Sequence, residues 1–458
     1  MIQMIILSAM MAAVPQSGAE ADTSATIITL EDAIRIALSE NASVKVADKE
    51  IERTQYARKG TYASLFPQID GSGSYQRTIK KQVMYMDFDI PGMSGGGASG
   101  GDTPSPGKGG IEVGRWNTWS AGVSAAMPLV NAQLWKSLKI SAEDVELAVE
   151  KARGSRLETV TQVKNTYFAV LLAKEAFKVY KEVYENSLQN CDVTQKKYNS
   201  GKASELDLTR AKTALANAIP NVYDSENAVI LALWQLKAVM GVDLDDNIDI
   251  AGSLMDYSDG MFREMNDFDS MSLESNSSLR QLAIQAEEIA NTVKLQQYAY
   301  IPSLSVAFSY SINAMTNDFN FSEYNWSPYS FVGLSLNIPI FSGGKRLNNV
   351  RQAKVQAVEL DIQRENTERQ LRIAIRQYLN TMETAVKSYV SAQDALGTAR
   401  KAYDIAVKSY NVGRGTLTDM NAAQLALVQT ELTVSQAVYS FVTAKADLEQ
   451  ILGADFTE

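Results

Sequence analysis

Tyr198-Asn199-Ser200-Gly201-Lys202, followed by Leu206-Asp207, returns 212 residues later as Tyr410-Asn411-Val412-Gly413-Arg414, followed by Thr418-Asp419. The same offset carries Met240-Gly241 onto Leu452-Gly453 and Leu236 onto Leu448. An offset of 211 carries Met127-Pro128-Leu129 onto Ile338-Pro339-Ile340, and one of 235 carries Phe66-Pro67 onto Ile301-Pro302. These anchors keep their order, so the chain reads as one plan written twice: a helix ending near a proline, two short segments, then two long helices. The extra residues of the first half fall at 93–110, MSGGGASGGDTPSPGKGG, which has no means of packing a core. The resulting division is a signal-like segment at 1–21, repeat 1 at 22–241, an acidic connector at 242–272 and repeat 2 at 273–454.

After each proline the apolar period becomes two. Leu304, Val306, Phe308, Tyr310 and Ile312 alternate with Ser305, Ala307, Ser309 and Ser311; the mate at 68–76 is weaker, with Ile69 and Tyr75 among Asp70, Ser72, Ser74 and Gln76. Return segments are expected at 118–127 and 329–338, the latter with Val332, Leu334, Leu336 and Ile338 on one face. Runs of about ten residues suit tilted strands that cross a bilayer. Tyr300, Tyr310, Trp116, Trp119, Trp326 and Tyr329 are candidates for an interfacial girdle. A half-buried soluble sheet alternates equally well. Four strands cannot close a barrel, so the membrane reading requires several chains to pool them.

Residues 131–199 and 344–411 contain no proline and little glycine, and their apolar spacing is helical. Each stretch of about 70 residues is roughly 100 Å of helix. The returning helices at 203–241 and 416–453 are shorter, and helices at 30–65 and 273–300 supply the missing length if stacked end to end on them. At the two turns, Gly201 and Gly413 sit where a helix C-terminus needs a left-handed residue. Ser204 and Thr416 can cap the next helices, with Asp207 and Asp419 three positions on completing capping boxes.

Composition narrows the chemistry. The 458 residues are 45% hydrophobic and 21% charged, with a net charge of −10 that argues against nucleic acid as a partner. An acidic lumen and an acidic solvated surface both fit that charge. Histidine is absent and Cys191 is the only cysteine, which removes the commonest general base, any Cys/His zinc site and any disulfide within the chain. No enzyme activity, metal or cofactor is expected. The acidic run 243–249 lacks the spacing of a calcium loop, and the glycine-rich stretch lacks the GxxxxGK[ST] frame. Residues 4–14 are apolar and Ala19-Glu20-Ala21 has the form of a cleavage site, although no Lys or Arg precedes them. No stretch elsewhere is apolar for long enough to make a membrane-spanning helix.

The twofold plan and the pattern Tyr-x-x-Gly-x-x-x-x-x-Asp at both turns resemble the TolC family of outer-membrane efflux proteins, over about 30–453. The most specific pieces are Glu205-Leu206-Asp207-Leu208-Thr209-Arg210-Ala211 and Leu417-Thr418-Asp419-Met420-Asn421-Ala422, with Pro128-Leu129 and Pro339-Ile340-Phe341-Ser342-Gly343-Gly344-Lys345 at the strand-to-helix joints. The resemblance implies a mostly α fold with transmembrane β. Each protomer of a homotrimer gives four strands to a twelve-stranded barrel in outer-membrane lipid, and long helices to a periplasmic α-barrel. It implies that a periplasmic adaptor grips the tips at Ser200, Gly201, Lys202, Ala203 and Ser204 and at Val412, Gly413, Arg414, Gly415 and Thr416, and that an inner-membrane pump drives export. It assigns Asp419, Asp207 and Tyr410 to the aperture. Gly415 stands where the family pattern has an arginine, and Ala422 where it has a second acid; Arg414 or Lys202 is the candidate replacement. The implied function is a duct for small molecules such as drugs, toxic compounds or metal ions. Protein secretion is an alternative within the family, and a coiled-coil scaffold lies outside it.

Overall fold

The computed structural model describes residues 26–84, 111–263 and 272–453. The signal-like segment and the glycine-rich stretch 93–110 lie outside them. In chain order the elements are β1 (Thr26–Ile28), α1 (Leu30–Glu40), α2 (Ala42–Ala63), β2 (Gln68–Arg77), β3 (Gln82–Met84), β4 (Ile111–Val113), β5 (Asn117–Val130), α3 (Ala132–Asn199) and α4 (Glu205–Met240). They continue with β6 (Ile248–Ile250), a 3-10 turn (Leu254–Tyr257), α5 (Gly260–Arg263), α6 (Ser277–Tyr298), β7 (Ser303–Thr316), β8 (Ser327–Asn337), α7 (Lys345–Asn411) and α8 (Leu417–Leu452). Helix dominates, and none of the described helices is long and apolar enough to cross a membrane.

One compact unit comprises 48–84, 111–151 and 278–368 among the described residues. Its centre is an antiparallel sheet ordered β2-β5-β7-β8. Register sorts the side chains into two faces, with Phe331 of β8 the large apolar exception on the polar one. Ile69, Ala125, Phe308 and Val332 form one row, and Met127, Val306 and Leu334 another on the same face; Asp70, Ser124, Ser309 and Ser72, Gly122, Ser311 lie on the opposite face. The apolar face is uncovered: Val332 is 73% exposed and Leu334 70%. Two prolines mark places where the ladder can spare a donor: Pro128 at a register shift in β5, and Pro328 near the start of the edge strand β8. Two expected girdle positions need correction. Tyr310 lies mid-strand on the apolar face, and Tyr329 pairs with Ser311 on the polar face. The aromatic cluster instead closes one end of the sheet, where Tyr75 stacks on Trp119 at 4.3 Å and Trp119 meets Phe321 edge-on at 4.8 Å. Tyr75 also donates to Asn117 Oδ1 at 2.9 Å.

The other unit comprises 26–47, 152–277 and 369–453 among the described residues. Its core takes Val163, Tyr167 and Leu171 from α3, Leu236 and Met240 from α4, Met382 from α7, and Phe441 and Leu448 from α8. The described part of the connector at 242–272, residues 242–263, expected to be irregular, is anchored to this core. Ile248–Ile250 pairs in parallel with Thr26–Ile28, and Leu254 and Met261 are fully buried. Tyr167 donates to the Ala251 carbonyl at 2.7 Å, and burial pushes its phenol up to about 12.

The expected helix at 30–65 is broken at Asn41. Its backbone leaves the helix at ψ 132°, its Nδ2 donates to the Val239 carbonyl at 2.7 Å, and its Oδ1 accepts from the Ser43 amide at 2.7 Å. One side chain therefore starts α2 while holding the end of α4. Asn276 does the matching work before α6, donating to the Ile451 carbonyl at 2.7 Å. These partners stand at the offsets of 235 and 212 found in the sequence. Gly241 and Gly453 permit the abutment: both have positive φ, and a Cβ would come within 2.7 Å of the Glu40 carbonyl or 2.1 Å of the Ser275 carbonyl. Returning and short helices thus meet end to end.

Candidate functional site at the helical tips

At each tip a long helix turns into a returning one through a glycine with positive φ: Gly201 at 68° and Gly413 at 78°. Ser204 and Thr416 then cap α4 and α8. The Ser204 hydroxyl lies 2.7 Å from Asp207 Oδ2 and accepts from the Asp207 amide at 3.1 Å. The Thr416 hydroxyl lies 2.6 Å from Asp419 Oδ2 and accepts from the Asp419 amide at 3.1 Å. Both carboxylates also accept from the cap residue's amide, completing two capping boxes. Their negative charge sits at a helix N-terminus, which stabilises it.

The remaining expected residues separate into exposed and buried sets. Ser200, Lys202, Val412 and Arg414 are exposed, with Ala203 and Gly415 half-buried. Tyr410 is buried at 6% exposure, among Ala211, Leu417 and Met420, with Cys191 against the same cluster. Its hydroxyl is 2.6 Å from the Thr194 hydroxyl. Lys197, which sequence reasoning missed, donates to the Tyr410 carbonyl and lies 3.8 Å from its ring centroid. Desolvation lowers the Lys197 pKa from its ordinary value. Arg210 was also missed as a contact. Its guanidinium reaches Thr418 Oγ1 at 3.4 Å, a further side-chain contact between the two tips beside those of Tyr410 with Thr194 and Lys197. Its helical mate 212 residues on is Ala422, and that asymmetry was the available signal.

This arrangement positions charge and shape at the two tips. An open groove of about 660 Å³ between α7 and α8 is lined by hydroxyls and amides such as Thr381, Thr384, Gln436 and Ser440, with no acid–base pair. No cluster of acidic or cysteine residues suited to a metal occurs among the described residues. A two-faced sheet that leads into helices of 68 and 67 residues, α3 and α7, defines the class: a channel protein of the outer membrane.

A family model described as "Outer membrane efflux protein" matches residues 33–242 and 270–454, and the chain belongs to that family. It is similar to outer membrane protein TolC of Vibrio cholerae, 20% identical over 342 residues covering 73% of this chain and 76% of that one. It is also similar to the probable efflux pump outer membrane protein TtgC of Pseudomonas putida, 22% identical over 437 residues covering 94% and 84%. The fold superposes on the Campylobacter jejuni CmeC outer membrane channel with a TM-score of 0.71 at 19% identity, covering 99% of this chain and 94% of that one. The protein is therefore an efflux exit duct of the outer membrane, and its relatives are channels, not enzymes.

Proposed function

We propose that three copies complete one pore, each giving its four-stranded sheet to a twelve-stranded barrel and its long helices to a periplasmic tube. The carrying observation is the sheet itself. β2 and β8 each pair on one side only, and the apolar face stays uncovered while the opposite face is almost wholly hydroxyls, amides and small residues. Open edges are untenable in lipid, and closure by pooled strands removes them. The apolar face then meets lipid and the polar face a wet lumen. Two sequence repeats per chain, six in three copies, supply pseudo-symmetric portions of helix to the tube.

In this reading the tips at 200–204 and 412–416 receive a periplasmic adaptor, and an inner-membrane pump hands small molecules to the duct. Asp419 and Asp207 have two roles: they cap helices, and around a threefold axis they form an acidic constriction that binds cations. Tyr410 acts from within the tip, setting the angle between α3 and α7 through Thr194 and Lys197. The experiment is single-channel recording in a planar bilayer. Wild type gives discrete steps blocked by multivalent cations; Asp419→Ala raises the conductance and weakens the block. An unchanged conductance leaves Asp419 with capping alone, and no steps from either protein would defeat the pore reading.

A further inference from the structure

The four strands of the main sheet carry only two charged side chains, Asp70 and Arg77. Arg77 stands at the last register pair of β2 on the apolar face, with its guanidinium 5.8 Å from the Phe319 ring centroid. Asp70 stands on the polar face, in register with Ser124 and, through β5 and β7, with Ser309 and Phe331. The rows on either side are Gln68-Ala126-Ala307 and Ser72-Gly122-Ser311. Asp70 is exposed and enters no salt bridge among the described residues.

We infer that Asp70 is the residue that sets the charge selectivity of the barrel. The inference rests on the pooled-barrel reading, in which the polar face lines the lumen. Hydroxyls and amides present donors or acceptors as a passing ion requires, so they favour neither sign. A fixed charge does favour one. Three Asp70 carboxylates at one level, against a low-dielectric wall, hold a negative potential that draws cations in and turns anions back. The field reaches about 10 Å into the lumen at 0.1 M salt and about 3 Å at 1 M. The effect is therefore one of low salt. It is also separate from the aperture, because Asp70 and Asp419 belong to different compact units of the chain.

The test uses the full chain in a planar bilayer under a potassium chloride gradient, with hexamminecobalt(III) added to one face at a time. Asp70→Asn is expected to lower the cation-to-anion permeability ratio about twofold at roughly 0.1 M salt, converging on wild type near 1 M. It should weaken cobalt block from one face and leave block from the other, which Asp419→Ala removes. Asp70→Lys should push the ratio further toward anions, and Asp70→Glu, which keeps the charge, should hold the wild-type ratio. Conducting Asp70→Asn channels with the wild-type ratio at low salt would overturn the assignment while leaving the pore intact. Absence of conduction from wild type would remove the pore reading and this inference with it.

Discussion

The returning helices α4 and α8 are the same length, begin with the same capping box and end on the same left-handed glycine, yet only α8 is buried along its middle. Val438, Phe441, Val442 and Ala446 are each at most 6% exposed. Their mates 212 residues earlier are Glu226, Val229, Ile230 and Trp234, of which Ile230 is 42% and Trp234 47% exposed. The cause lies in the neighbours. Val438, Phe441 and Val442 share a core with Val163, Tyr167 and Leu171 of α3, and nearer the C-terminus of α8 Lys164 meets Glu449 at 2.7 Å and Asn165 meets Asp447 at 2.9 Å. The corresponding stretch of α4 is covered less, with Ala232 and Leu233 only partly buried against that core. The ends of both helices thus match, where local chemistry suffices, and the middles differ, where a partner decides. The uncovered apolar face of α4 is what a chain that completes itself only in company should present.

Deletion in the two middles should separate them most. Phe441→Ala empties a fully buried site and is expected to cost about 3–5 kcal/mol in denaturant unfolding. Val229→Ala, at the mate position, should cost about 1 kcal/mol or less. Equal losses would break the contrast.

The ends should behave alike. Asn41→Ala and Asn276→Ala each leave a carbonyl, of Val239 or Ile451, without its donor, and each should cost about 1–3 kcal/mol by the same unfolding measurement. A large difference between them would show that the two helix junctions are not equivalent. Ser204→Ala and Thr416→Ala should each cost about 1 kcal/mol for the lost cap, again as a matched pair.

The short helices sharpen the comparison with the smallest effect. Residue 53 of α2 is an arginine held by Glu50 at 2.7 Å, whereas its mate on α6 is Glu288. Burial, then the nearby carboxylates of Asp144 and Glu143, raise the Glu288 pKa above its ordinary 4.5. The folded chain then holds this proton more tightly than the unfolded one. The group's contribution is therefore best at low pH and is lost as pH climbs from 4.5 through the folded value. Glu288→Gln should melt slightly higher than wild type at neutral pH, and the gain should vanish in thermal scans near about pH 3.5.

What the sequence made legible follows the same division between local and distant causes. The tips were readable because glycine, cap and carboxylate act within seven residues of one another. The strands at 303–316 and 327–337 were readable as 303–313 and 329–338 because apolar side chains recur at every second position there. The break at Asn41 was not, since helical propensity runs on through 30–65 and the residue that holds Asn41 is Val239, on another helix. β1 and β6 are three residues each, too short for any period to register. Arg210 was quoted as part of a motif, but its partner Thr418 belongs to the other hairpin, so its bridging role needed the fold.

The most direct test is the mass of the detergent-extracted protein with the detergent contribution subtracted. Each chain is 50.2 kDa, and three copies per particle are expected, with the sheet edges β2 and β8 of neighbouring copies close enough to cross-link. A stable particle of one chain's mass, soluble without detergent, would contradict the account.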